Sequence, residues 1–500
     1  MATTIRTRRI GIAAVAQFSG AGLQQVLKYL TNILIARGMG AAALGVYQLA
    51  LTFWIAIQTA LCGGFGRAIM RMVPHHMARD EKTRARGVVA LGMNASWWLA
   101  VVLGAALYLT ADFIAGALLH TPEAGPALEV LALALPLAAL NNVVWALGRS
   151  LGSLRYVIYQ FLLVPASFII FIAAAVLYLT EPSAVHVAWA FLLSYALPLI
   201  AMAGYYRLLV RFSSVRLIAP VAGPFLAFAG ATSLLSLAEF LCRNADVFIL
   251  ARFASAAEVG YYAMASRTAT LCLMVTVSFD AFFAPAVSSL YSAGRIQELR
   301  GLFRRACGWI LLAGAPLLAI LITNASDILS LFGAAFLSAI PALLVIAASQ
   351  LLNLGTGLVG VVLLMTGRQV LVLALNVAAL IVNVALCWWL IPQYSLLGAA
   401  IGTAGAVVFL NLTLMLCGYA YLRLNPFSES YLRALAAALI AGAINYVFIV
   451  PLLRMGLPRL GASIACVAIV YGVVIALLGG LAELSAAVSA LRGTIRPNDI

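Results

Sequence analysis

Three cations lie inside stretches that are otherwise apolar: Lys28, Arg243 and Arg267. A charge at such depth in hydrocarbon costs several kcal/mol unless it meets a partner or water. Arginine offers a planar fork to phosphate oxygens and lysine a compact point charge. Gathered in a water-filled cavity, the three would suit an anionic headgroup. Gln24 and Gln25 on the Lys28 stretch, Asn244 beside Arg243, and Asn141 and Asn353 from elsewhere can hydrogen-bond sugar hydroxyls. Each can equally serve as polar glue between helices. Arg243 also has a local alternative. Glu239 lies four residues before it and Asp246 three after, so both can neutralise it along one helix face. Glu239, Asp246 and Asp280 are in turn candidates to carry a coupling proton or to bind Na⁺.

The elements that position these residues follow from composition. The chain has 500 residues, 65% hydrophobic and 9% charged, against about 25% charged in a soluble domain. Apolar runs of about 20 residues recur from end to end, each long enough to cross a bilayer core. This predicts an all-α polytopic membrane protein. A β-barrel would alternate in short segments instead. Fourteen spans are predicted, at 11–35, 44–66, 87–110, 127–148, 157–180, 186–207, 226–250, 259–284, 307–323, 338–365, 369–391, 397–421, 432–452 and 461–482. The first follows the basic "MATTIRTRRI" and has no small-residue cleavage site, so it reads as a retained span.

The net charge of +15 does not point to nucleic acid, because the cations concentrate in short connections between spans. Alternate connections, counted from the N-terminus, hold twenty-three of the 30 Lys and Arg residues, and the opposite set holds only Arg37, Arg252, Arg454 and Arg459. This bias places both termini, and the polar connection 67–86, in the cytoplasm. That connection reads as a solvated loop, with room for an interfacial helix. Seven scattered cysteines without a CxxC pair and four histidines without ligand spacing predict no metal site or cofactor.

The chain writes one hairpin twice. "LKYLTNILIARGMGAAALGVYQLA" (27–50) and "CRNADVFILARFASAAEVGYYAMA" (242–265) align without a gap. Ala36, Arg37, Gly45 and Tyr47 fall on Ala251, Arg252, Gly260 and Tyr262, and Lys28 falls on Arg243. Each buried cation lies nine residues before the arginine of its turn, roughly 13 Å along a helix. The paired glycines suit a tight turn or close helix approach. The paired tyrosines suit the membrane–water interface. Spans 1–6 and 7–12 thus form two parallel repeats in one orientation, a transporter plan with the substrate site between lobes. The predicted organisation is an N-terminal lobe at 1–216, a C-terminal lobe at 217–424, and residues 425–500 with two extra spans and a tail. Proline within spans, at Pro136, Pro165, Pro198 and Pro316, allows bending.

"LIARGMGAAALGVYQLALTF" and "FILARFASAAEVGYYAMASR" resemble the paired hairpins of the polysaccharide-transport (Wzx-like) flippases of the multidrug/oligosaccharidyl-lipid/polysaccharide exporter superfamily. "LSLFGAAFLSAIPALLVIAASQLL" (329–352) and "LIPQYSLLGAAIGTAGA" (390–406) resemble that family's C-terminal half. The resemblance implies a bacterial inner-membrane protein that moves undecaprenyl-diphosphate-linked oligosaccharide between leaflets for surface or exopolysaccharide export. It implies alternating access around a cationic cavity, coupling to an H⁺ or Na⁺ gradient, and a glycan polymerase and glycosyltransferases as working partners. Lipid II flippases and multidrug exporters of the same superfamily are the alternatives. A membrane-embedded glycan polymerase is the alternative of another class. It would need an extramembrane loop with clustered acids or a nucleotide-sugar motif, and the chain has no P-loop, GxGxxG after a strand or nucleophile elbow.

Overall fold

The computed structural model describes residues 2–150, 159–201 and 219–479, except for the side chains of 2–19, 21, 78, 201, 219, 220, 242, 278 and 280–282. The described residues are helical throughout, with short turns. In chain order they form α1 (Ala2–Ala78), α2 (Lys82–Phe113), α3 (Gly125–Ser150), α4 (Val164–Tyr178), α5 (Ala184–Ala201), α6 (Ala219–Phe253), α7 (Ala256–Ala269), α8 (Leu273–Ser292), α9 (Ile296–Thr323), α10 (Ala325–Ser330), α11 (Ile340–Thr356), α12 (Leu358–Met365), α13 (Gln369–Tyr394), α14 (Leu396–Leu422), α15 (Glu429–Ile444), α16 (Val450–Leu452) and α17 (Leu457–Leu477). Eleven stretches are long and apolar enough to span a membrane. Gly22–Met77 is one of them and holds two of the predicted spans, Ala184–Ile200 is a shorter apolar helix, and α7 and α8 cover the predicted eighth span. The chain is therefore a multi-pass membrane protein, with a helix count that accommodates the fourteen spans.

The first two spans are one run of helix broken at Gly40, whose φ of 85° and ψ of 169° no L side chain adopts cheaply. The polar connection predicted at 67–86 is mostly helix. α1 continues to Ala78 and α2 begins at Lys82. Ile69, Val73 and His76, at helical spacing, are buried along this extension. Ile69 and Val73 belong to a core that also holds Phe65, Val88, Val143, Leu147 and Phe225. Burial of that face, not hydropathy of the whole segment, carries the helix beyond the bilayer-length run.

The tight turn that follows is tied by charge. His76 Nδ1 lies 2.7 Å from Glu81 Oε2, and Arg84 donates to Glu81 Oε1 at 2.9 Å. The His76 hydrogen bond first, and Arg84 second, hold the Glu81 carboxyl below its usual range. A carboxyl so depressed stabilises the turn above the unfolded-state pKa, and that contribution is lost as pH falls through the folded value. The protection factor of the Ala85 amide, which bonds to Glu81 O at 3.1 Å, should therefore fall on acidification. Glu81→Gln should exchange faster at neutral pH and show little of that acid dependence.

Contacts divide the chain into two compact units, residues 1–244 with 255–260, and residues 245–254 with 261–500. In the first, α3 packs against α1, α2 and α5, and α4 packs against α1 and α5. Small residues bring helices close. Gly64 N donates to Ser233 Oγ at 3.0 Å, and a Cβ on Gly64 would lie 2.6 Å from that oxygen. The repeated glycines meet as well: a Cβ on Gly260 would stand 2.7 Å from Ala41 O, and one on Gly45 would collide with Ala256 O. In the second unit, α14 packs on α11 and α13, and α15 joins α9 to α17. Large apolar side chains such as Leu109, Leu177 and Leu477 are exposed, as expected where the surrounding solvent is lipid.

Candidate functional site

A cavity of about 470 Å³ opens in the first unit between α1, α3 and α6. α1 contributes Thr59, Gly63, Gly66, Arg67 and Met70, α3 contributes Asn142, Trp145 and Arg149, and α6 contributes Ser236, Glu239, Phe240 and Arg243. The glycines leave room for the lining side chains. A Cβ on Gly66 would sit 2.5 Å from Asn142 Oδ1. Three guanidiniums face one carboxylate, so the lining is positive. Arg67 pairs with Glu239 at 3.3 Å, and Arg149 lies over the Trp145 ring at 4.6 Å from its centroid, which holds the guanidinium in place. Arg243 makes no ion pair among the described residues. Asn142 Oδ1 is buried without a hydrogen-bond partner.

The structure therefore redistributes the charges that the sequence suggested. Arg243 lines the cavity, and its expected neutralisation by Glu239 and Asp246 does not occur: Glu239 turns to Arg67, and Asp246 turns to the second unit. Lys28 is an exposed residue of α1 and Arg267 an exposed residue of α7, and neither lines this cavity. Arg67 and Arg149 take part instead. Both look like loop cations that set orientation, because each follows the end of an apolar run. The apolar residues Ile69 and Val73, two and six positions beyond Arg67, are the signal in the sequence that the helix goes on.

The amides divide similarly. Asn141 donates to Gln160 Oε1 at 3.2 Å, and Gln24 donates to Gln160 O at 3.5 Å. Gln25 is exposed. Asn244 and Asn353 bond within their own helices, to Phe240 O at 2.9 Å and to Gln350 Oε1 at 3.1 Å. The side chain of Asp280 lies outside the described residues.

A second polar cluster sits in the other unit. Asp246 is buried, accepts a short hydrogen bond from the Tyr262 hydroxyl, and accepts another from Thr403 Oγ1 at 2.9 Å. Cys387, bonded at 3.5 Å to Asn383 Oδ1, lies on the neighbouring α13. Tyr262 is thus no interfacial ring. It and Tyr47 are 0% and 2% exposed: Tyr262 bonds Asp246 and Thr403, and Tyr47 lies beside the Phe168 ring of α4. The first hairpin has its own buried polar pair, Gln48 Nε2 to Asn32 Oδ1 at 2.9 Å. Each pair is separated by 16 residues and ties the helix before the turn to the helix after it. The pair is neutral in one hairpin and acidic in the other.

These spans, in this order, form the fold of the MOP-superfamily transporters. The lipid II flippase MurJ in an inward closed conformation superposes with a TM-score of 0.73 at 14% identity, covering 92% of this chain and 98% of that one. An inward-facing multidrug resistance MATE family transporter superposes with a TM-score of 0.71 at 17% identity, covering 82% and 98%. A MOP superfamily transporter from Pyrococcus furiosus gives 0.58 at 17% identity, covering 83% and 96%. The chain itself belongs to the polysaccharide biosynthesis protein family, whose profile matches residues 13–290, and the MatE profile matches residues 231–389. No curated protein sequence matches the chain.

Proposed function

We propose that the protein is a flippase of the bacterial inner membrane that moves undecaprenyl-diphosphate-linked oligosaccharide by alternating access, for export of a surface or extracellular polysaccharide. The observation that carries this reading is the cavity lined by Arg67, Arg149 and Arg243 against a single Glu239. A diphosphate is a compact dianion whose oxygens match guanidinium forks. The hydroxyl, amide and indole groups of Thr59, Asn142, Ser236 and Trp145 suit the first sugar. A cavity of this sign opposes a cationic drug. Membership of the polysaccharide biosynthesis family supports a glycan cargo. A glycan polymerase and glycosyltransferases are the expected working partners. Binding of undecaprenyl diphosphate to the purified protein tests the reading: it should raise the melting temperature of the wild type and not that of a variant lacking the three arginines. Equal stabilisation of both would remove the cavity from the cargo path.

Asp246 is the residue we assign to coupling with an H⁺ or Na⁺ gradient. It is a buried carboxylate held by two hydroxyls within a repeated hairpin, and such intramembrane acids are retained at a cost that function repays. Asp246→Asn should bind cargo as the wild type does, yet transport in proteoliposomes should no longer accelerate under an imposed gradient. A gradient response equal to that of the wild type would make the carboxylate a purely structural tie.

A further inference from the structure

Either H⁺ or Na⁺ would serve the coupling role assigned to Asp246, and the geometry around its carboxylate separates the two. Tyr262 donates to Asp246 Oδ2, Thr403 Oγ1 lies 2.9 Å from the same oxygen, and the two hydroxyl oxygens are 2.9 Å apart. The three oxygens are thus all at hydrogen-bond distance from one another. Three edges need three hydrogens. Each hydroxyl supplies one. An ionised carboxylate supplies none, and one edge would then set lone pairs against each other. A proton on Asp246 Oδ2 completes a ring in which Asp246 donates to Thr403, Thr403 to Tyr262 and Tyr262 to Asp246.

The surroundings do not favour the ionised form. Asp246 is 4% exposed and makes no ion pair among the described residues. α13 and α14, which bring Cys387 and Thr403 towards it, carry no charged residue, and Cys387 Sγ turns to Asn383 Oδ1. On α7, Glu258 is held by Ser255 at 2.9 Å, and Arg267 forms no ion pair with Asp246. Arg243 and Arg252, on its own helix, are exposed. A carboxylate ionised in such a place is costly. Sodium would also neutralise it, but a hard cation gathers about six oxygens directed at one centre. Here the three oxygens are directed at one another, and Asp246 Oδ1 accepts the Val247 amide at 3.0 Å. Packing of the hairpin does not require the acid. In the first repeat Thr31 stands at the position of Asp246 and bonds Leu27 O at 2.8 Å, and Tyr47, at the position of Tyr262, is buried all the same.

We infer that the coupling ion is a proton, bound at Asp246 Oδ2 in a hydrogen-bonded ring with the hydroxyls of Thr403 and Tyr262. This rests on the coupling role of Asp246. Uptake moves a proton from water onto Oδ2 and leaves the site neutral. Release returns it to water and restores the carboxylate, which the two hydroxyls and the Val247 amide then hold. Thr403 is the least buried of the three residues, so exchange with water passes by its hydroxyl.

Infrared spectra of the full-length protein in water and in heavy water read the proton directly. At neutral pH the wild type should show the C=O band of a hydrogen-bonded carboxylic acid, and Asp246→Asn should lose it. Thr403→Val, which opens the ring, should shift the band, and Thr403→Ser, which keeps the hydroxyl, should leave it in place. The Thr403→Val shift assigns the band if Asp246→Asn does not fold. In proteoliposomes, movement of undecaprenyl diphosphate by the wild type should accelerate under a pH gradient and not under a sodium gradient at equal pH. Acceleration by sodium alone, or the absence of an Asp246-dependent acid band at neutral and mildly acidic pH, would overturn the proton and leave the coupling role of Asp246 standing. A response to neither gradient, or a pH response that Asp246→Asn retains in full, would remove the coupling role itself and this inference with it.

Discussion

Replacing Arg149 and Arg243 together by alanine will abolish transport while leaving the protein folded in the membrane. Arg149 rests on Trp145 at the cavity wall, and Arg243 makes no ion pair among the described residues. Each should form charge-assisted hydrogen bonds to a diphosphate, worth about 1.5–3 kcal/mol apiece. Losing both weakens cargo binding by roughly two to four orders of magnitude. Arg149→Lys/Arg243→Lys keeps the charge and loses the planar fork, so it should fall between the wild type and the alanine variant. Glu239→Gln acts in the opposite direction. It releases Arg67 from its 3.3 Å pair and should tighten binding of the diphosphate while slowing its release. Calorimetric titration with undecaprenyl diphosphate in detergent, alongside a melting curve for each variant, separates lost binding from lost fold.

The largest effect on stability is expected far from the cavity, at Asp327. Its side chain is 1% exposed and meets Arg459 Nε at 2.7 Å. The other carboxylate oxygen accepts the Gly456 amide at 2.8 Å. Arg459 donates further to Val450 O and to Ser326 Oγ, both at 3.1 Å. All three guanidinium nitrogens and both carboxylate oxygens of the pair are thus engaged, and Gly456 supplies a φ of 142° for the turn. The pair joins the α10 turn to α17, and so fastens the C-terminal pair of spans to the helices before it. Asp327→Ala leaves a buried guanidinium without its counter-charge and should cost about 3–5 kcal/mol. Arg459→Ala should cost a similar amount. The double variant should cost less than the sum, because neither charge is then left alone. A replacement by two apolar residues of similar volume should recover most of the loss. Thermal unfolding and limited proteolysis of the 453–457 turn read both effects.

Much of this fold is legible in the amino-acid sequence. Apolar runs of bilayer length and the alternation of arginine between connections are both imposed by the membrane itself, so spans can be counted from composition alone. The repeated glycines are legible too, and Gly45 and Gly260 do mark a close approach of backbones. What escapes is any feature set by packing in three dimensions. Arg67 and Arg149 look like orientation charges, because hydropathy marks the end of an apolar run and not the end of a helix. The buried spacing of Ile69, Val73 and His76 shows that α1 runs on and carries Arg67 into the wall of a cavity. Asp246 looks like a partner for Arg243 at helical spacing, yet a tyrosine sixteen residues away captures it. Asp327 and Arg459 are 132 residues apart, and no local pattern links them. Counting of i, i+3 and i, i+4 pairs finds only partners on one helix, whereas these interactions join different helices.

The central claim is that a cavity lined by Arg67, Arg149 and Arg243 carries a diphosphate-linked glycan across the membrane. The most direct measurement is made on cells lacking the protein: undecaprenyl-linked glycans are extracted, and their leaflet is determined by accessibility to an impermeant glycan-binding or oxidising reagent. One such glycan should accumulate on the cytoplasmic side, and the wild-type protein should clear it while Arg149→Ala/Arg243→Ala, present at equal level in the membrane, does not. Absence of any accumulated glycan, or clearance by the double variant at the wild-type rate, would contradict it.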